Sequence, residues 1–438
     1  MDTITHGIAG ALLGKAFFFE REGRLGVLAV TVGSVFPDSD AFANLFYHDR
    51  IAYLEIHRSI THSFVALPGF ALALGAVTCL LARRHSGFPT EAEFVGAGYP
   101  GSPADAESVG VGNPGPQSGP SESESISAHQ AQSRAANSDA AIPNRWWRWL
   151  LLSCLFGIGI GLHIVMDLIT SFGTMIWSPL SRARISWDMT FIMDLLLTTI
   201  VLLPQLAAWA YSDPQRTRRG CFGIWFCMTA AVAAIARLAG QFQVPISATS
   251  VATGSAVIAA VLWIPSAGGR GFHWKRSAYC RVGVAALVIY LGLCQIAHRA
   301  ALVRVKDFAS RSGIAVERLA ALPSPPSVLR WSGLVETPKG IYRGSINLAN
   351  SSEPAYLFFP NAENNWYLQR AETQADVKTY LWFARFPWVT YYETEGLHVV
   401  EFKDIQFFFP PRGNDPPFTL RVFFDAQGHI LNSTLLDR

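Results

Sequence analysis

The sequence predicts a mostly α-helical, polytopic membrane protein. A bundle of about six spans plus a short N-terminal helical pair is followed by a β-rich extracytoplasmic domain. Three observations carry this. Half of the 438 residues are hydrophobic and only 15% are charged, whereas a soluble chain carries about a quarter charged residues. Apolar segments recur at the roughly 20-residue length that crosses a hydrocarbon core. Beyond residue 300 the pattern changes to short aromatic and β-branched runs separated by turn-forming residues.

The elements follow in order. "GIAGALLGKAFFF" and "RLGVLAVTVGSVF" run 13 residues each. That is short for a span and suits a tilted pair or a re-entrant hairpin packed against other helices. Segments 64–82, 149–171, 191–211, 221–239 and 278–297 are long and apolar enough to span. A sixth, 247–265, is rich in small residues but uncharged and long enough. Residues 86–144, rich in Gly, Pro, Ser and Ala, cannot build a core and are expected to form a disordered cytoplasmic loop. The expected organisation is therefore 1–85, N-terminal membrane helices; 86–144, loop; 145–299, membrane helices; 300–438, a β-rich periplasmic domain. In the last, "ALVRVKDFASRSG" is amphipathic at helical spacing and is expected at the membrane interface. "IYRGSINL", "AYLFFP", "TYLWFARFPWVTYYET", "LHVVEFKDIQFFF", "FTLRVFFDAQG" and "HILNSTLLD" read as antiparallel strands, with "DAQGH" as a hairpin turn.

The basic clusters set the orientation. Arg83/Arg84, Arg145/Arg148, Arg216/Arg218/Arg219 and Arg270/Lys275/Arg276/Arg281 are expected on the cytoplasmic side. The spans then alternate without conflict, and the C-terminal region lies outside. The N-terminus has no basic region before its apolar stretch and an acid at Asp2, so insertion is expected to rest on a later helix.

Several function classes drop out. The net charge of +3, from 35 basic and 32 acidic residues, does not suit a nucleic-acid binder. The six cysteines lie in or beside apolar segments with no CxxC pair, and read as small packing residues. There is no HExxH, GxSxG or Walker A motif.

What remains is a set of ionisable residues where lipid should exclude them. His6 opens the first apolar segment, Asp38 and Asp40 follow the second, and His57 and His62 precede the third. His163 and Asp167 lie near the end of the 149–171 span, four apart and so on one helical face. Under the topology set by the basic clusters, all of them fall at the outer side. Taken singly, each has a plain structural reading: a helix–helix hydrogen bond, an ion pair or proton relay, a helix cap. Taken together on one face they point to a metal site, because buried charges persist when paired or metal-bound. The His/carboxylate mixture favours zinc, with manganese as the second choice. The expected ligands are His6, Asp38, Asp40, His57, His62, His163 and Asp167, with Asp38, Asp40 and His62 as the catalytic residues. A metal there would bring the pKa of bound water toward about 7. Asp188 and Asp194 are expected to be structural or supporting, and Ser59, Thr61 and Ser63 to cap or support rather than attack. His273 and His298 are expected at headgroup level.

"MDTITHGIAGALLG", "GSVFPDSD", "HRSITHSF" and "GLHIVMDLITSFGTMIWSPLS" resemble the YdjM-like family of inner-membrane-associated metal-dependent hydrolases, over roughly residues 1–85 and 145–210. The sequence is also distantly similar to the phospholipase C and P1 nuclease group, helical zinc enzymes that hydrolyse phosphoesters through His-x-x-x-Asp ligand pairs. The resemblance implies His6, Asp38 or Asp40, His57, His62, His163 and Asp167 as ligands. The amine-bearing N-terminal aromatic residue of the soluble enzymes has no match in Met1-Asp2, so one or two ions are expected rather than three. The expected activity is hydrolysis of a phosphoester in a membrane lipid or lipid-linked substrate, with envelope protein partners reached through residues 300–438. The alternatives are a metal or proton transporter, and a scaffold with a structural metal. Transport would need polar residues continuing to the inner face, which 64–82 and 149–171 lack.

Overall fold

The structure is a computed structural model that describes residues 1–45, 50–84, 145–241, 247–265, 270–350, 353–408 and 416–436. The expected loop 86–144 lies outside the described residues.

Helix α1 (Thr3–Phe17) starts where the Asp2 carboxylate accepts from the Thr5 amide at 2.9 Å. It turns at once into α2 (Phe19–Val35). The two pack closely because glycines face the partner. A Cβ at Gly10 would lie 2.0 Å from Ser34 Oγ, and one at Gly14 would lie 2.9 Å from Val27 Cα. A 3-10 stretch, Phe36–Leu45, carries Asp38 and Asp40. Then come α3 (Arg50–Ile56), a 3-10 turn Ile60–His62, and α4 (Leu67–Arg84). Helix α5 (Arg145–Leu168) crosses α2 at a second glycine contact. A Cβ at Gly33 would lie 2.4 Å from the Phe156 carbonyl oxygen, and one at Gly159 would lie 2.3 Å from that of Val30. Beyond the loop 169–194, α6 (Leu195–Ala210) is capped by Asp194, followed by α7 (Pro214–Gln241), α8 (Ala248–Trp263), the single turn α9 (Arg270–His273) and α10 (Arg276–Arg311).

Among the described residues, three helical segments are long and apolar enough to cross a membrane: Trp146–Leu168, Pro214–Arg237 and Arg276–Arg311. A fourth is reached if the pair Arg50–His62 and Leu67–Ala82, bent by 72°, counts as one broken span. Of the remaining expected spans, α6 and α8 are apolar but have 16 residues each, or about 24 Å at 1.5 Å per residue.

Helix α10 differs from expectation. The predicted span 278–297 and the amphipathic segment after it form one continuous 36-residue helix, so the boundary expected at residue 300 falls inside it. Its stripe Ala297, Ala301, Val305 and Ala309 does not lie on lipid. It is buried against Ala321, Trp331, Val335 and Ile346 of the first sheet. Small side chains at i, i+4 spacing let the helix lie close on the strands. His298 stacks on Trp331 with ring centroids 5.4 Å apart.

The C-terminal region holds two antiparallel four-stranded sheets, each in sequential order. The first comprises β1 (Arg318–Ser324), β2 (Arg330–Thr337), β3 (Gly340–Asn347) and β4 (Tyr356–Pro360). Two short helices follow, α11 (Trp366–Glu372) and α12 (Ala375–Phe383). The second comprises β5 (Pro387–Thr394), β6 (Leu397–Asp404), β7 (Thr419–Phe424) and β8 (Ile430–Leu436). The run "TYLWFARFPWVTYYET" is therefore corrected: Thr379–Phe383 end α12 and the strand begins at Pro387. Val377, Tyr380 and Phe383 recur every third residue and bury one helical face against the sheet. The "DAQGH" turn joins β7 to β8, with Gly428 at φ +86° and Asp425 Oδ1 accepting from the Gln427 and His429 amides.

This region is docked on the bundle end that carries α3, the turn Ile60–His62 and the loop 169–194. Ile51 and Leu54 of α3 share an apolar core with Leu368, Tyr380, Phe383 and Phe402, and Phe172 packs against it. Arg385 makes a bidentate pair with Asp188, at 2.7 and 2.9 Å, and donates to the Ser171 carbonyl at 2.9 Å. Asp194 Oδ2 accepts from Tyr290 and Ser327, both at 2.6 Å, tying α6 to α10 and to the connection between β1 and β2.

Candidate metal centre

The local structure brings residues from four parts of the chain to one point. His6 projects from the first turns of α1, Asp38 and Asp40 from the 3-10 stretch after α2, His62 from the 3-10 turn before α4, and His163 and Asp167 from the end of α5. His6, His62, His163 and Asp167 are fully buried.

Three donor atoms form a compact triangle. His62 Nε2 and His163 Nε2 are 3.0 Å apart, and Asp167 Oδ2 lies 3.3 and 3.6 Å from them. A tetrahedral zinc shell with bonds of about 2.0–2.1 Å has donor–donor edges of about 3.3–3.4 Å. The triangle thus has the size of one face of such a shell. Asp38 Oδ1 lies 3.5 Å from His163 Nε2 and 3.6 Å from His62 Nε2. A second set with metal-ligand spacing, His6, Asp38 and His163, shares His163 with the first.

Hydrogen bonding behind the rings decides what the triangle offers. His163 Nδ1 lies 2.8 Å from the Ser34 carbonyl oxygen. A carbonyl only accepts, so Nδ1 carries the proton and the neutral ring turns a lone pair at Nε2 to the centre. His62 Nδ1 faces Thr61 Oγ1 at 3.0 Å and Asp40 Oδ2 at 3.5 Å. The Asp40 carboxylate favours a proton on that nitrogen too. Two imidazole lone pairs and a carboxylate oxygen then converge, and the buried Asp167 Oδ2 has no hydrogen-bond partner among the described residues. Such a cluster is relieved by a proton on one Nε2 or by a shared cation. The donor set is nitrogen and oxygen with no sulfur, and it fits zinc or manganese.

Not every expected ligand faces this point. Asp40 stands behind His62: its Oδ2 accepts from the Arg58 amide at 2.9 Å and lies 3.4 Å from His57 Nδ1. His57 lies further out, with Tyr53 Oη 3.2 Å from its Nδ1. Asp2 caps α1. Asp188 pairs with Arg385, and Asp194 caps α6.

Sequence reasoning passed over Arg58. It is 3% exposed, and its Nη2 lies 3.1 Å from Asp167 Oδ1. The same oxygen is 3.2 Å from His6 Nε2 and is paired with the nitrogen of Met1. The available signal was a charged residue between two histidines in "HRSITH". Phe172 was also passed over. It is 5.6 Å from both the His57 and Phe383 rings, and the Arg58 guanidinium carbon is 4.6 Å from its centroid.

The fold and this centre define a membrane protein whose helical bundle encloses a His/Asp cluster at one end. The chain belongs to the YdjM inner membrane protein family, whose model matches residues 1–242. It is accordingly an inner-membrane protein. No curated protein and no solved structure matches the chain.

Proposed function

We propose that the protein is a metal-dependent hydrolase of the inner membrane that cleaves a phosphoester in a lipid or lipid-linked substrate. The observation that carries this is the buried triangle of His62 Nε2, His163 Nε2 and Asp167 Oδ2, whose carboxylate oxygen has no hydrogen-bond partner among the described residues. Three protein ligands leave an open position, the arrangement of catalytic rather than structural zinc. A divalent cation held there supplies an acidified water and polarises an ester oxygen. The chain's own groups do the rest. The Ser34 carbonyl and Asp40 fix the two imidazoles, Asp38 stands beside both as a proton acceptor, and Arg58 holds Asp167 in place.

The topology belongs to the same proposal. Six spans, with α6 and α8 as the short ones, keep the basic starts of α5, α7 and α10 cytoplasmic. The centre and residues 300–438 then face the periplasm, where the latter can meet envelope protein partners. A centre near the outer leaflet suits a substrate arriving from the bilayer.

One observation favours a second reading, a metal or proton transporter. Lys15 Nζ donates to Gln205 Oε1 at 2.9 Å, a polar contact between α1 and α6 nine residues along α1 from His6. A non-enzymatic scaffold with a structural metal is the third reading.

The test begins with metal analysis of the full chain purified in detergent, beside His163→Ala and Asp167→Ala. The hydrolase reading expects stoichiometric zinc or manganese in wild type and its loss in both variants. It also expects cleavage of phospholipids or generic phosphodiesters that chelation stops and metal restores. Wild type without metal would sink it. Bound metal without hydrolysis, together with ion flux into proteoliposomes, would favour transport.

A further inference from the structure

We propose that Arg58 takes the place of a second metal ion and holds the centre to one ion per chain, an inference that rests on the metal-centre reading above. The two oxygens of Asp167 are used differently. Oδ2 faces His62 Nε2 and His163 Nε2 and has no hydrogen-bond partner among the described residues. Oδ1 faces the other way, with Arg58 Nη2 at 3.1 Å, His6 Nε2 at 3.2 Å and the Met1 nitrogen against it.

Ligands for a second ion are close at hand. His6, Asp38 and His163 have donor atoms within 4.8 Å of one another. His163 has one lone pair to give, because its Nδ1 proton is committed to the Ser34 carbonyl, and the first triangle uses it. A second ion beside His6 and Asp38 would therefore have to draw on Asp167 Oδ1, 3.2 Å from His6 Nε2, in place of His163. Arg58 stands at that oxygen. An imidazole such as His6 can present a lone pair to a cation, but a guanidinium stays charged and offers none. It repels a second cation and neutralises the oxygen that would bind it.

The arginine is held there by contacts that do not involve the ions. Its Nη1 donates to Thr170 Oγ1 at 3.3 Å, and its guanidinium carbon lies 4.6 Å from the Phe172 ring centroid. Its backbone is in the left-handed region at φ +58°, a costly conformation for a non-glycine residue. That conformation aims its amide at Asp40 Oδ2, at 2.9 Å, while its carbonyl accepts from the Met175 amide at 3.1 Å. Thr170, Phe172 and Met175 all lie on the loop that follows Asp167, so arginine and carboxylate are positioned together.

The test is a cobalt(II) and zinc titration of the full chain in detergent against a chromogenic chelator, with equivalents counted by elemental analysis. Only sites lost in His163→Ala or Asp167→Ala count. Wild type is expected to saturate at one equivalent. Arg58→Met is expected to take up a second, weaker one, and Arg58→Lys, which keeps a cation, to stay at one. Wild type saturating at two equivalents overturns the role of Arg58 while leaving the metal centre standing, and needs no variant to fold. Arg58→Met remaining at one equivalent, or Arg58→Lys reaching two, also overturns it. Wild type binding no metal removes both proposals together.

Discussion

The Ser34 carbonyl oxygen lies 2.8 Å from His163 Nδ1, and that contact sets which nitrogen of His163 the centre receives. It exists because α2 and α5 cross at glycines. Ser34 follows Gly33 directly, and His163 lies one helical turn beyond Gly159. With the backbones this close, a main-chain carbonyl reaches across and fixes the tautomer.

Gly159→Ala should therefore disturb the centre without touching a ligand. The new Cβ would meet the Val30 carbonyl oxygen at 2.3 Å, and backbone cannot rotate away. Overpacking of this kind costs about 1–3 kcal/mol. The expected outcome is a lower midpoint of thermal unfolding in detergent and weaker metal retention. Gly69→Ala, whose Cβ would meet nothing within 4 Å, is the control. Equal behaviour of the two variants would count against the glycine crossing as the element that builds the site.

Asp40→Asn separates a ligand from its support. Asp40 contacts Nδ1 of His62 rather than the donor triangle. Replacing such a partner lowers metal affinity by about 10–100-fold while leaving stoichiometry intact. A competition titration against a chelator reads both. Loss of the ion altogether would make Asp40 a direct ligand, and unchanged affinity would leave it a loop-bracing residue that accepts the Arg58 amide.

The C-terminal region is held to the site loop by Arg385 and Asp188. Their side chains are 23% and 11% exposed, so removing one partner should cost about 1–3 kcal/mol, less than the roughly 3–5 kcal/mol of a fully buried pair. Asp188→Asn and Arg385→Met should each speed proteolysis between α5 and α6, and a double-mutant cycle should show coupling. Additive effects would mean that docking rests on the apolar core around Phe172 and on other contacts such as Ser327 to Asp194.

The membrane class was legible in the sequence, because hydropathy is a sum over neighbouring residues. So was the His/Asp set, because charge in an apolar segment is conspicuous wherever it occurs. The one-face relation of His163 and Asp167 follows from helical periodicity within α5. Helix α10 was misread at its end because an amphipathic stripe has the same pattern whether it meets lipid or a sheet. "TYLWF" was misread because aromatic runs suit both a strand and a short buried helix.

What only the tertiary structure decided concerns residues far apart in the chain. The sequence could place His6, Asp38, Asp40, His57, His62, His163 and Asp167 in one region, but not separate those facing a common point from those behind it. That separation depends on how far α1, α2 and α5 approach, which glycine contacts set, and on the backbone turn at Arg58. The pairing of Arg58 with Asp167 spans more than a hundred residues and leaves no periodic signal. Local interactions fix which face of a helix is polar, and long-range packing fixes what that face meets.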